Sequence, residues 1–376
     1  MRKIAYAIIL LITITSCVEK YWSNIDKYEY ALVVDGFLTN GSEPALVQLS
    51  FSSQINMQEL IPAIGAELTI TSETQLEIPF VETEPGIYKA SDTSFHGEIG
   101  SSYQLHIKLP NGKSYESDFC TMPHTSSLDS VYGKEENQKS LNSNDMLSGI
   151  QFYVDNHTTI PNDTIYYLWR LTQTIKYRAS FTLDYTYSGE FIPFPNPDSL
   201  RTCWLTTPVS QIFIFSTKLY DNSVIRNFPI NYVSTESKAL SIRYSLLVKQ
   251  LSISKDAFDY YNTLKQQNIE QGDFYSEQPI QIRGNIINVA NPEEAVLGYF
   301  TVASVTEKRV FVNRPHLPFI FFECKRDYDL RWIRWSQYTW PLYLTENELG
   351  KALGPRPSCF DCREEGGKLT PPDFWE

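Results

Sequence analysis

Two thiols with two residues between them, Cys359-Phe360-Asp361-Cys362, are the pair in this chain whose type and spacing could carry redox or metal chemistry. A redox CxxC belongs at the N-terminus of a helix that follows a strand, where the helix end lowers the thiol pKa. Arg363-Glu364-Glu365-Gly366-Gly367 follows instead, with no apolar helical period, so the redox reading is disfavoured. A structural zinc site needs four ligands. Cys203, Cys324, Cys359 and Cys362 could gather as such a set, but no second CxxC or CxxH supports it. No metal and no cofactor is expected.

Nucleophilic catalysis would draw on His96, His106, His124, His157 or His316, and none stands in an HExxH or beside a GxSxG. Such a site can be assembled in space, so a hydrolase is kept as an alternative without an assigned catalytic residue. His106 alternates with the apolar face of its strand and is expected on the solvent side. Glu293-Glu294 and Glu364-Glu365 are expected to be solvated charges near turns.

The densest aromatic segment holds Trp332, Trp335, Tyr338, Trp340 and Tyr343, interleaved with Arg331 and Arg334. Trp, Tyr and Arg anchor interfaces, by stacking on sugar rings or gripping a partner protein. Trp332, Trp335, Tyr338 and Trp340 are therefore the binding candidates. Against this, aromatics are commonly buried, and the expectation is that the run packs across a sheet and closes a core.

The elements that must position these residues begin with an address. Arg2 and Lys3, an apolar run from Ile4 to Thr15 and small residues before Cys17 follow the order of a secretory signal. The run is too short to span a bilayer, which takes about 20 helical residues. It resembles a bacterial lipobox, which implies cleavage before Cys17 and acylation of its thiol, an anchor at a membrane surface. Val18-Glu19-Lys20 lacks the Asp that resembles an inner-membrane retention signal, so the outer membrane is favoured. A net charge of −12 disfavours nucleic acid and anionic lipid as partners.

Export places the other five cysteines in an oxidising compartment. Cys359 and Cys362 are expected to bridge to Cys203 and Cys324 in an order the sequence does not assign, leaving Cys120 as the odd thiol. A local Cys359 to Cys362 bridge is the competing outcome. Tail bridges would also hold Phe374 and Trp375 against the body.

A signal over 1–16 and a tether over 17–28 precede short alternating strands broken by turn residues such as Asn40-Gly41 and Asn111-Gly112. They predict an antiparallel β-sandwich, immunoglobulin-like or transthyretin-like, over 29–125, with Tyr88 and Tyr103 as core or corner residues. The polar stretch 126–147 is expected to be a linker. A larger β-rich domain follows over 148–376, with a helix over 254–271 capped by Ser254 and striped by Phe258, Tyr261 and Leu264. Three prolines in "GEFIPFPNPDSLRTCW" argue for a loop there.

The lipobox, "LVVDGFLTN", "AFDYYNTLKQQ", "GNIINVANPEEAVLGYFTVASV" and the terminal "CFDC", "GG" and "PPDFW" together resemble a family of Bacteroidota outer-membrane lipoproteins classed as domain of unknown function 4249. The resemblance implies a lipoprotein often encoded beside TonB-dependent receptors and brings no known activity. Two function classes follow: a non-catalytic accessory lipoprotein that binds a partner or nutrient, and an exported hydrolase with its site on loops of the second domain.

Overall fold

The computed structural model describes residues 30–52, 61–139, 145–157, 164–219, 224–270, 282–321 and 324–375. The alternation that begins near residue 30 becomes β1 (Leu32–Thr39), β2 (Leu46–Phe51), β3 (Ile61–Pro62), β4 (Glu67–Ser72), β5 (Glu77–Glu84), β6 (Ile87–Ala90), β7 (Ser102–Lys108), β8 (Ser114–Ser117) and β9 (Cys120–Thr121). One face of β1, carrying Leu32, Val34 and Leu38, meets Ile70, Leu105 and Tyr115 in the first core. Tyr88 and Tyr103 are buried there, as expected. Successive strand residues point to opposite faces, so Asp35 and Phe37 look the other way.

The second part of the chain supplies β10 (Ser127–Lys139), β11 (Met146–His157), β12 (Tyr166–Arg178), β13 (Tyr185–Tyr187), β14 (Phe191–Pro193), β15 (Thr202–Ser216), β16 (Val224–Ser234), β17 (Arg243–Ile253), helix α1 (Lys255–Glu270), β18 (Ile286–Asn288), β19 (Val296–Asn313), β20 (Leu342–Asn347) and β21 (Gly350–Leu353). The stretch expected as a linker is largely β10, paired along its length with β11. Its polarity is that of an outer strand whose tip residues face water. The proline-rich segment expected as a loop contains the three-residue β14, with Pro193 at its end, on an edge where a missing N–H costs no ladder bond.

The fold is mainly β, and one sheet dominates it. Fourteen strands join in the order β15-β12-β17-β19-β1-β2-β6-β5-β4-β7-β8-β18, with β3 and β9 at its sides. The three-stranded sheet β10-β11-β16 lies over one face, burying Phe152, Trp169, Tyr244 and Val248 between the layers. Neighbouring residues of the same strands, Leu168 and Leu251, point to the opposite face. There α1 packs through Ala257, Phe258, Tyr260 and Tyr261. The helix starts where its cap predicted, with Ser254 Oγ accepting the Ala257 N–H at 3.2 Å.

β19 belongs to both halves. Residues 296–303 pair with β1 in parallel, and residues 304–313 pair antiparallel with β17. The first core accordingly takes in Ile286, Val296, Phe300 and Val302, so the sandwich expected over 29–125 is completed by strands from beyond residue 280. Gly298 makes the seam possible. Its φ is +94°, and a Cβ there would sit 1.9 Å from the Val34 carbonyl oxygen, a position open only to glycine.

Candidate functional site

The C-terminal cysteines build a platform. Cys203 on β15 is bonded to Cys362 and Cys324 to Cys359, with Cα atoms 5.7 and 6.0 Å apart. This settles the order that the sequence left open, and the local Cys359 to Cys362 bridge does not form. Phe360, between them, packs edge-on against Phe181 with ring centroids 5.6 Å apart. The Tyr177 hydroxyl donates to the Cys362 carbonyl at 2.5 Å. Trp375 reaches Trp204 and Phe311 with centroids at 6.4 and 5.4 Å, so the tail is held against the body. Among the described residues Cys120 is the free thiol; burial pushes it up to about 11, the opposite of activation. Cys17 lies outside the described residues.

Asp361 fixes the geometry of this knot. Its carboxylate accepts from the Arg363 backbone N–H at 2.9 Å and from the Arg363 guanidinium at 2.7 Å. Burial works to raise the carboxyl, and the Arg363 bonds outweigh it, leaving it below its ordinary value.

The small sheet β14-β13-β20-β21 stands on the platform, and two 3-10 turns, Ile333–Trp335 and Gln337–Thr339, stand on the sheet. Ile333 is the root of the turns, packed with Tyr187, Leu344 and Leu353. Trp340 folds back: its indole N–H donates to the Ile333 carbonyl at 3.1 Å and its ring meets Tyr187 edge-on. Tyr343 packs edge-on against Phe360, whereas the remaining three aromatics do not close the core, against expectation. Trp332 is 44% exposed, Trp335 84% and Tyr338 fully exposed. A spacing of three, the repeat of a 3-10 turn, sets Trp332 and Trp335 on the same side. Arg331 is tied to Asp329 by bonds at 2.8 and 2.6 Å, which hold that carboxyl at about 2. Four sequence candidates thus divide, one into the root and three onto a solvent-facing tip.

Sequence reasoning missed a relay on the outer face of the first sandwich. Thr71 Oγ1 lies 2.5 Å from His106 Nε2, and His106 Nδ1 lies 3.3 Å from Glu116. A hydroxyl on one ring nitrogen and a carboxylate on the other is the connectivity of an acyl-transfer triad. The three residues sit on adjacent strands β4, β7 and β8, where His106 and Glu116 are partly exposed, and they form a cross-strand polar ladder. His157 takes Asp129 on Nδ1 at 2.5 Å, but Ser127 donates to that same carboxylate instead of to the ring. Glu294 also departs from expectation: it accepts from Lys113, Tyr115 and Asn288 within 2.9 Å and is not free in water. Among the described residues no cluster of His, Cys, Asp and Glu could hold a metal ion.

The fold and platform define a two-layer β protein with a stapled C-terminal knot carrying an aromatic tip. The chain belongs to the family described as Domain of unknown function (DUF4249), whose model matches residues 18–309. The tip and three of the four bridged cysteines lie beyond the matched residues. No curated protein matches the chain.

Proposed function

We propose that this protein is an outer-membrane lipoprotein of the kind found in Bacteroidota, anchored through Cys17, and that it works without catalysis as an accessory that grips a partner protein. The partner we favour is a TonB-dependent receptor in the same membrane. The aromatic tip carries the reading: Trp332, Trp335 and Tyr338 stand in water on a platform made rigid by two disulfides. Large rings presented on a preordered support bury much area for little ordering cost, which is what an interface centre requires. The test is affinity capture from detergent-solubilised outer membranes, comparing the natural chain with Trp335→Ala/Tyr338→Ala. An outer-membrane barrel should come with the natural chain and be lost from the variant. Capture of the same barrel by both, or of none by the natural chain, would overturn the reading.

A further inference from the structure

A groove of about 630 Å³ lies beside α1 on the face of the large sheet away from β10-β11-β16. Its floor comes from neighbouring strands in register. Leu168, Leu251 and Val305 lie side by side on β12, β17 and β19 and make an apolar row. Two residues along the same strands, Arg170, Lys249 and Glu307 make a charged row. Phe37 on β1 and Ile212 on β15 add apolar walls, and Tyr261 closes the side toward the helix.

Arg170 is the unusual member. On its outer side three residues of β15, 210–212, stand opposite it alone, because the pairing jumps from Trp169 with Phe213 to Leu171 with Val209. A bulge of this kind re-aims a side chain. The guanidinium crosses the face of β17 and β19 and lies 4.1 Å above the Phe37 ring. It comes only to 4.0 Å from Asp35, and among the described residues it makes no hydrogen bond. Five N–H donors in a fixed fork are thus held half-exposed at the end of an apolar floor. Of the acids nearby, Glu43 is engaged by Lys249, and Glu307 lies across the strand pair from that lysine. Asp35, whose side chain is about half exposed, stands beyond hydrogen-bond distance of the guanidinium.

We propose that this groove binds a carboxylate carried on an apolar body, the carboxylate taken by the Arg170 fork with Lys249 beside it and the body laid along Leu168, Leu251 and Val305. A medium-chain fatty acid and the free C-terminus of an apolar peptide share that chemistry. A volume in the range of small-ligand sites suits either.

The test uses the full chain with Cys17→Ser, which keeps acyl groups of its own out of the measurement. Calorimetry compares decanoate with decanol, and the peptide Ala-Leu-Phe with its C-terminal amide. At least one acid should bind saturably at one site, about tenfold or more tighter than its neutral counterpart, as a charge-assisted pair requires. The acid that binds tighter identifies the source. Arg170→Gln should remove the preference for acid over neutral form. Equal binding of acid and neutral forms, no saturable binding of either acid, or a folded Arg170→Gln that keeps the preference would each sink the proposal. A second measurement needs no variant: the preferred acid should slow phenylglyoxal modification of Arg170 in the otherwise natural chain, and failure to protect it also counts against the site.

Discussion

Gln250 accepts the indole N–H of Trp169 at 3.1 Å in the core between the two sheets, and the same oxygen accepts from Asn156 at 2.9 Å. Both ring and amides are buried, so the glutamine satisfies two donors that water cannot reach. Gln250→Leu keeps the volume and strands both donors. It should lower unfolding stability by about 2 kcal/mol or more, since each unsatisfied buried donor costs about 1 to 3 kcal/mol. Urea denaturation of the purified chain measures this; a loss below about 0.5 kcal/mol would mean that water reaches the site.

The two disulfides should differ in what their removal costs. Cys203 and Cys362 are 159 residues apart and Cys324 and Cys359 are 35 apart. Loop-closure entropy sets upper values of roughly 5 and 4 kcal/mol for loops of those lengths. Cys203→Ala/Cys362→Ala should therefore be the less stable of the two double variants in urea. The reverse order would show that closing the unfolded loop is not what these bonds contribute.

Asp361 makes the knot acid-sensitive. Its folded carboxyl holds a proton less tightly than the unfolded one, whose ordinary value is 3.8. The stabilisation is therefore fully present above that value and is lost as pH falls below it toward the folded value. Asp361→Asn should cost about 1.5 to 3 kcal/mol at neutral pH, the range for hydrogen bonds to charged groups. It should also flatten part of the fall in stability below about pH 4. Urea midpoints measured across that range for both chains check it.

The tip and its root should respond oppositely to truncation. Ile333→Ala opens a cavity under the turns and should cost about 2 to 5 kcal/mol. Trp335→Ala and Tyr338→Ala remove exposed rings and should each stay within about 0.5 kcal/mol. A large stability loss from either exposed ring would give it a structural task in place of a contact one.

How much of this was legible follows residue by residue. The helix announced itself through Ser254, and the hairpin between β7 and β8 through Asn111-Gly112, because caps and tight turns depend on local chemistry; Asn40-Gly41 lies instead in a longer connection between β1 and β2. β10 was hidden: "SLDSVYGKEENQK" is polar because it is an outer strand, and polarity alone looks like a linker. The four bridged cysteines were legible by their even count in one part of the chain, but their order was not, since it depends on how the tail wraps. The aromatic segment divides, with Trp340 and Tyr343 packed as expected and Trp332, Trp335 and Tyr338 exposed, because composition does not tell a root such as Ile333 from a tip such as Trp335. The meeting of Arg170 with Phe37 leaves no local signature, because it joins strands far apart in the chain, and the Thr71, His106, Glu116 ladder shows only once β4 is paired with the β7–β8 hairpin.

The strand β19 also sets a timetable. Until residues 296–303 have emerged and paired with β1, that strand has an open edge and the first core lacks Phe300 and Val302. An open hydrophobic edge is a template for pairing with other chains, and contacts of long sequence separation form slowly. A chain synthesised from its N-terminus must therefore carry its first sandwich unfinished through most of its own synthesis. A protector that covers unpaired strands during transit would find its longest task on β1.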